Sequence, residues 1–381
     1  MPQKAKLLIA AMILTCTLLS AGGLWWTSRQ VRRQAPLMAE LQFAQDNWTS
    51  TETISDAVEL RLLGRAFTSC TAIQSTPPNQ ELAMYRLTLD FADRQGVYLI
   101  THDLRIFNPS LNEEFLLNRD GLQLLDTYLS KLKRQQFGEL LPWDEASQLI
   151  PRYSTFTIRD LETGLAWRSQ RRGGSRHADI QPLTKADTAT LKTIYDGAWS
   201  WNRRAVVVEH AGRRIAASIN GMPHGAGALV NGFPGHHCLH FLGSTTHGGS
   251  NHDPMHQLMV HHAAGELHEY LDRMPPEQLQ LVALELAGQG NTEITHLIIQ
   301  NSGHDWAALA GQIRDIRIWS DEVGPAAQGK LTGDYTVSVF FVGDPREHRM
   351  TVSLTCRYFG SYGKWLLEPD YLEQLTAPSR D

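Results

Sequence analysis

Three kinds of hydrophobic pattern run along this chain and divide it. From Leu7 to Trp26, twenty residues pass without a charge, preceded by Lys4 and Lys6 and closed by Trp25 and Trp26. That length crosses a bilayer and the aromatic pair suits its interface, so residues 1–27 are expected to form a cytoplasmic tip and an uncleaved transmembrane helix. Ser20-Ala21-Gly22 is a weak exit for a cleaved signal. Arg29, Arg32 and Arg33 follow the span and blur the charge rule, but the export-like layout favours a globular part on the extracytoplasmic face.

Residues 28–150 read as a small α+β spacer or binding module. Ser28 to Glu52 is polar and mixed, a stalk or first helix. A helical period runs from Ile54 to Leu63, followed by alternation over Ala83 to Asp90 and an apolar run from Gly96 to Ile100, two strands joined by a polar turn. A third strand near Leu104 to Phe107 and a helix from Gly121 to Leu132, with Leu122, Leu125, Leu129 and Leu132 on one stripe, complete it.

Residues 151–265 are expected to be mostly β. Arg168 to Asp179 reads as a basic, glycine-containing loop, ahead of a helix from Thr184 to Tyr195 with Thr184 as N-cap. Arg204 to Ser218 reads as a hairpin turning at Ala211-Gly212, and the glycine-rich stretch Asn220 to Gly235 leads into a further strand. Asp253-Pro254 opens a helix that runs past Ala263 and Ala264. Residues 266–381 begin with a helix from Pro275 to Ala287. They end in long alternating strands over Asp334 to Val342 and Met350 to Tyr358, with a short one at Gly363 to Leu367. A helix followed by a curved antiparallel sheet is the shape of NTF2-like or cystatin-like modules. The fold class expected is therefore α+β, a mostly-β central domain flanked by two small α+β modules.

Composition narrows the partners. The chain has 381 residues, 42% of them hydrophobic, and a net charge of −5 that gives no support to nucleic-acid binding. Cys16 falls in the span; of the other three thiols, Cys70 and Cys356 have apolar neighbours and read as buried residues or a disulfide pair. Three thiols outside the membrane leave at least one unpaired, and Cys238 alone has polar company.

That company is histidine: ten of sixteen histidines fall between His224 and His268. If residues 236 to 240 are extended, period-two geometry puts His236, Cys238 and His240 on one face and His237 and Leu239 on the other, with Phe241 following them. A histidine within reach of a thiol lowers its pKa and later protonates the leaving group, so the set suits acyl transfer. His224 arrives from the glycine-rich loop, whose backbone amides are candidates for an oxyanion hole. Asp253 or Asp179 is the candidate to orient the basic imidazole.

Gly221-Met222-Pro223-His224-Gly225, followed by His236-His237-Cys238-Leu239-His240, resembles the catalytic segment of L,D-transpeptidases (the YkuD domain). There a His-Gly pair precedes a Ser-His-Gly-Cys-Val/Ile-Arg signature. The strand pair Ala205 to Ser218 is also similar to the one preceding that family's core, and the resemblance covers about residues 200–260. It implies that Cys238 is the nucleophile, His236 its base and His224 a site-lining residue, with no metal cofactor. It implies transfer of acyl groups from peptidoglycan stem peptides to an amine. Gly235 stands where the family has Ser or Thr, His237 where it has Gly, and His240 where it has Arg. Without that guanidinium, Arg171, Arg172 and Arg176, with His177 and Asp179 beside them, are the candidates to bind an anionic substrate.

Two other readings stay open. His236, Cys238 and His240, with His247 or His256, could hold zinc in a peptidoglycan hydrolase, with Asp253 as base or as partner of a ligand, although no recognised zinc spacing is present. A noncatalytic cell-wall binding protein is the third. His210, His252, His261, His262, His268, His296 and His304 read as ordinary solvated or hydrogen-bonded side chains.

Overall fold

The computed structural model describes residues 35–43, 50–75, 83–246, 252–300, 306–360 and 363–376. The expected span Leu7–Trp26, Cys16, His247 and His304 lie outside them. Among the described residues no helix is long and apolar enough to cross a membrane. The chain divides into two compact units, residues 1–135 and 136–381.

Among its described residues the first unit is a sheet of seven antiparallel strands with two helices. Its strands are β1 (Met38–Phe43), β2 (Thr51–Ile54), β3 (Thr71–Gln74), β4 (Tyr85–Asp90), β5 (Gln95–Ile100), β6 (Ile106–Asn108) and β7 (Glu113–Leu116), in the order β2-β1-β4-β5-β6-β7-β3. The stretch expected as a stalk or helix contributes β1 and β2 instead, because Ala39, Leu41 and Phe43 alternate with more exposed neighbours and face the core. Helix α1 (Ala57–Ser69) starts one turn later than its apolar period suggests, where the Asp56 carboxylate accepts from the amides of Val58 and Glu59. Helix α2 (Arg119–Gln136) buries Leu125, Leu129 and Leu132. Its Tyr128 hydroxyl donates to Glu59 at 2.6 Å, tying the two helices together.

The second unit holds a closed six-stranded barrel. Its strands are β8 (Thr155–Asp160), β9 (Ala166–Gly173), β10 (Ala178–Pro182), β11 (Arg204–His210), β12 (Arg213–Ile219) and β13 (His237–His240), in the cyclic order β10-β13-β12-β11-β8-β9. Inside lie Ile158, Trp167, Ile180, Val206, Val208, Ile215, Ala217, Ile219, Leu239 and Phe241. The short helix α3 (Trp143–Leu149) adds Ala146 to that core. Helix α4 (Lys185–Ile194) starts where its sequence indicates, with Thr184 and Asp187 forming a reciprocal capping box. The β11–β12 hairpin turns on Ala211 and Gly212, both at positive φ, which matches the twist of the paired strands.

The segment Arg168 to Asp179 is not the loop its basic composition suggested. Trp167, Ser169 and Arg171 point inward on β9 while Arg168 and Gln170 point out, and only residues 174–177 turn before β10 begins. Helix α5 (Pro254–Ala263) packs on the outer face of β11 and β12, burying Met255, Leu258, Met259 and Val260.

The rest of this unit contains α6 (Leu267–Asp272), α7 (Pro276–Gln289), α8 (Thr292–Ile298) and α9 (Trp306–Ala310). These precede the antiparallel sheet β14 (Ile313–Val323), β15 (Lys330–Phe341), β16 (His348–Phe359) and β17 (Lys364–Leu367), and α10 (Tyr371–Thr376) ends the described chain. Leu279, Val282, Ala283 and Leu286 of α7 are buried and the helix lies on the sheet, whose Val337, Val339, Val352 and Leu354 are buried too. The protein is thus a mixed helix and strand fold with mostly antiparallel sheets. The barrel occupies the expected central segment and the helix-backed sheet the last one; both belong to the second unit. Cys70, Cys238 and Cys356 are all buried and none is in a disulfide, so of the two readings of Cys70 and Cys356 that of buried residues holds.

Candidate functional site

Strand β13 carries the centre of the site. Its alternation sends Leu239 into the barrel and buries His237 with its Nδ1 at 2.8 Å from the Asn220 carbonyl, while Cys238 and His240 face outward. In the ladders around it Cys238 stands opposite Asp179 of β10, and His240 opposite Ser218 of β12. Directly opposed residues share a face, so one patch of the barrel's outer wall collects a thiol, a carboxylate, an imidazole and a hydroxyl.

A second imidazole comes from the glycine-rich loop. The loop doubles back so that His224 and His236 form a two-residue antiparallel bridge, each amide donating to the other's carbonyl at 2.9 Å. Gly235 makes this possible: its φ is 138°, and a Cβ there would sit 2.5 Å from the His224 carbonyl oxygen. Gln181, buried on β10, braces the same loop. Its amide donates to the Gly235 carbonyl at 2.6 Å, and its oxygen accepts from the amides of Ala228 and Leu229.

The bridge brings His224 to the thiol. Its Nε2 lies 3.3 Å from Cys238 Sγ, and its Nδ1 lies 2.9 Å from the Met222 carbonyl oxygen. A carbonyl only accepts, so Nδ1 carries the proton and Nε2 presents its lone pair to the sulfur. The half-exposed Trp201 indole stacks on this imidazole with ring centroids 5.4 Å apart. His236, the residue expected to be the base, has its Nδ1 3.1 Å from the Ala226 carbonyl and its Nε2 3.8 Å from Asp179.

A third imidazole completes the surroundings. His177, placed by its sequence in a substrate-binding loop, is buried, with Nδ1 2.7 Å from the Thr245 carbonyl and Nε2 3.3 Å from Asp179 Oδ1. It also hydrogen-bonds the Cys238 thiol. Burial opposes charge on His177, but the bonds to Asp179 and Cys238 outweigh it and push its pKa up to about 10. Burial likewise works against a Cys238 thiolate, yet hydrogen bonds with His177 and with His224, once that imidazole has taken the thiol proton, prevail and hold it below the ordinary thiol range. His224 is raised, first by its hydrogen bond to Cys238.

Behind this group runs a column of rings. His177 stacks on His240 at 4.6 Å, and His240 on His256 at 3.8 Å with planes 2° apart. Ser218 Oγ lies 2.9 Å from His256 Nδ1. Burial holds both His240 and His256 well below the usual imidazole range, so these two rings are neutral. Nδ1 of His240 has no hydrogen-bond partner among the described residues. His177, Cys238 and His240 offer ligand atoms all within 4.8 Å of one another, the one triplet with metal-ligating geometry among the described residues.

Other expected site residues do different work. Asp253 caps α5, accepting from the His256 amide at 3.0 Å, and pairs with Arg203 at 2.6 Å; Asp179, not Asp253, is the carboxylate at the imidazoles. The Arg171 guanidinium is buried, donates to the carbonyls of Ser147, Ile150, Gly173 and Gly174, and lies over Trp143, so it has no face left for a substrate carboxylate. Arg172 lies over Tyr153, and Arg176 is exposed on the turn before His177. Several loop amides expected to offer an oxyanion hole are engaged: those of Ala228 and Leu229 by Gln181, that of Phe233 by Asn231, and that of His236 by His224. Gln181, Trp201 and the Met222 and Thr245 carbonyls escaped sequence reasoning, and only the glutamine carries any signal, a polar residue between Ile180 and Pro182.

No protein-family model matches the chain, and no curated protein does.

Proposed function

We infer that this protein is a cysteine acyltransferase of the L,D-transpeptidase kind, acting on peptidoglycan stem peptides at the extracytoplasmic face of a membrane to which its N-terminal segment anchors it. The observation that carries the reading is the Cys238–His224–Met222 arrangement, a thiol, an imidazole and a carbonyl that fixes the imidazole's tautomer. It supplies the nucleophile, base and orienting acceptor that covalent acyl transfer requires. His224 Nε2 takes the thiol proton as Cys238 Sγ attacks the substrate carbonyl carbon; the C–N bond then breaks and the leaving amine takes that proton from His224, leaving a thioester. An acceptor amine then attacks that thioester, gives a proton to His224 and releases the thiolate. His177, paired with Asp179, also interacts with the sulfur and favours its anion.

A zinc hydrolase is the second reading, and the His177–Cys238–His240 triplet favours it. It leaves His224 without a role.

The test is intact-mass spectrometry of metal-free protein incubated with a carbapenem or an acyl-donor peptide. A covalent adduct on Cys238 that is absent in a folded Cys238→Ala variant supports acyl transfer; an unmodified Cys238 in folded protein removes it.

A further inference from the structure

We propose that Cys238, His177 and His240 also form a site for a thiophilic divalent cation, zinc in chemistry, and that the bound cation silences the thiol. The proposal rests on the acyl-transfer reading of the same cysteine, because the regulation consists in competition for one sulfur.

The donor set comes first. One thiol and two imidazoles suit a borderline-soft ion, not magnesium or calcium, which take oxygen. All three side chains are buried and their ligand atoms cluster within 4.8 Å. Tetrahedral zinc holds sulfur and nitrogen ligands roughly 3.3–3.7 Å apart, so closure around the ion needs a contraction of about 1 Å and a rotation of the His177 and His240 rings out of their stack. Three protein ligands leave a fourth position for water.

The surroundings are those of ligands. His177 is turned by the Thr245 carbonyl so that Nε2 faces the cluster, the partnership by which carbonyls orient metal-binding imidazoles. His240 takes no part in the transfer steps, yet it is a buried imidazole with an Nδ1 that no described residue satisfies. Buried polar atoms of that kind are rare and call for an explanation, and a cation supplies one. Binding forms S–Zn and N–Zn bonds and releases to solvent the proton carried by His177 and any proton left on the thiol. The sulfur lone pair that would attack a carbonyl is then held by the metal.

The test alkylates Cys238 with iodoacetamide in metal-free full-length protein, with and without added zinc. Alkylation should slow roughly tenfold once free zinc exceeds its dissociation constant tenfold, and EDTA should restore it. His240→Phe, which keeps a ring in the stack, should lose the protection, read as the ratio of rates with and without zinc in that one variant. Cobalt(II) added to the wild-type protein reads thiolate ligation directly as a sulfur-to-metal charge-transfer band, whether or not the variant folds. Absence of that band, or protection unchanged in folded His240→Phe, overturns the site. Zinc that binds and accelerates acyl transfer overturns the silencing. The acyl-transfer reading fails separately, when metal-free wild type forms no adduct with an acyl donor although cobalt binds.

Discussion

His224 Nε2 lies 3.3 Å from Cys238 Sγ, while the Met222 carbonyl holds the opposite ring nitrogen at 2.9 Å. Fourteen positions separate the two residues in the chain, and the bridge between His224 and His236 closes that distance. His236, nearer in sequence, spends one ring nitrogen on the Ala226 carbonyl and turns the other towards Asp179.

The two histidines are therefore expected to differ on substitution. His224→Gln should slow acylation of Cys238 by about 10²–10⁴-fold, the usual worth of a positioned general base. His236→Gln should cost much less. Adduct formation with a carbapenem, followed by mass against time, measures both, and equal losses would return His236 to the role of base.

Gly235→Ala attacks the same geometry through the backbone. With φ at 138° and the His224 carbonyl in the way, the substitution should destabilise the protein by about 1–3 kcal/mol and draw His224 from the sulfur. Denaturant unfolding and acylation rate read the two effects. A variant as stable and as reactive as wild type would show that the bridge does not set the His224 position.

Asp253 tests the opposite case, a residue expected at the chemistry and found in the scaffold. Asp253→Ala removes the α5 cap and leaves partly buried Arg203 without its nearest carboxylate, a loss of roughly 2–4 kcal/mol. Asp253→Asn keeps a capping oxygen and should lose less. In both variants the folded fraction should acylate at the wild-type rate; a rate loss in the Asn variant would return Asp253 to the site.

Acid should weaken the second unit. Burial lowers the His262 pKa to about 4, and its Nδ1 has no partner among the described residues. An unfolded histidine titrates near 6.5, so as pH falls below that value the unfolded chain takes up a proton that the folded one refuses. Stability is intact above pH 6.5 and drains away as pH falls towards 4, by at most about 3 kcal/mol from this residue. Urea unfolding from pH 7 to 4.5 should show the slope, and His262→Gln should flatten it. Equal slopes would mean that His262 is accessible to protons in the folded state.

What could be read in advance was local. The period of two in His237-Cys238-Leu239-His240 sorts thiol from core, Thr184 and Asp253-Pro254 mark helix starts, and Ala211-Gly212 marks a hairpin. What could not be read depends on strands distant in sequence. The β10–β13 pairing sets Asp179 opposite Cys238 across fifty-nine positions, and nothing in the run of arginines before it announces that. Arg171 misled for a related reason: its charge suggests a ligand, but backbone carbonyls already take four of its five N–H donors.

A ring of strands has no loose end along which one member can slide. Adding or deleting a single residue just ahead of β13 would exchange the two faces of the strand, sending the thiol into the hydrocarbon interior and His237 out to the carboxylate. The enclosing ladders cannot absorb such a step without breaking hydrogen bonds on both flanks. The length of the chain between Asn220 and Cys238 is therefore a chemical constraint as much as any side chain in it, and loop grafting there must conserve parity before it conserves sequence.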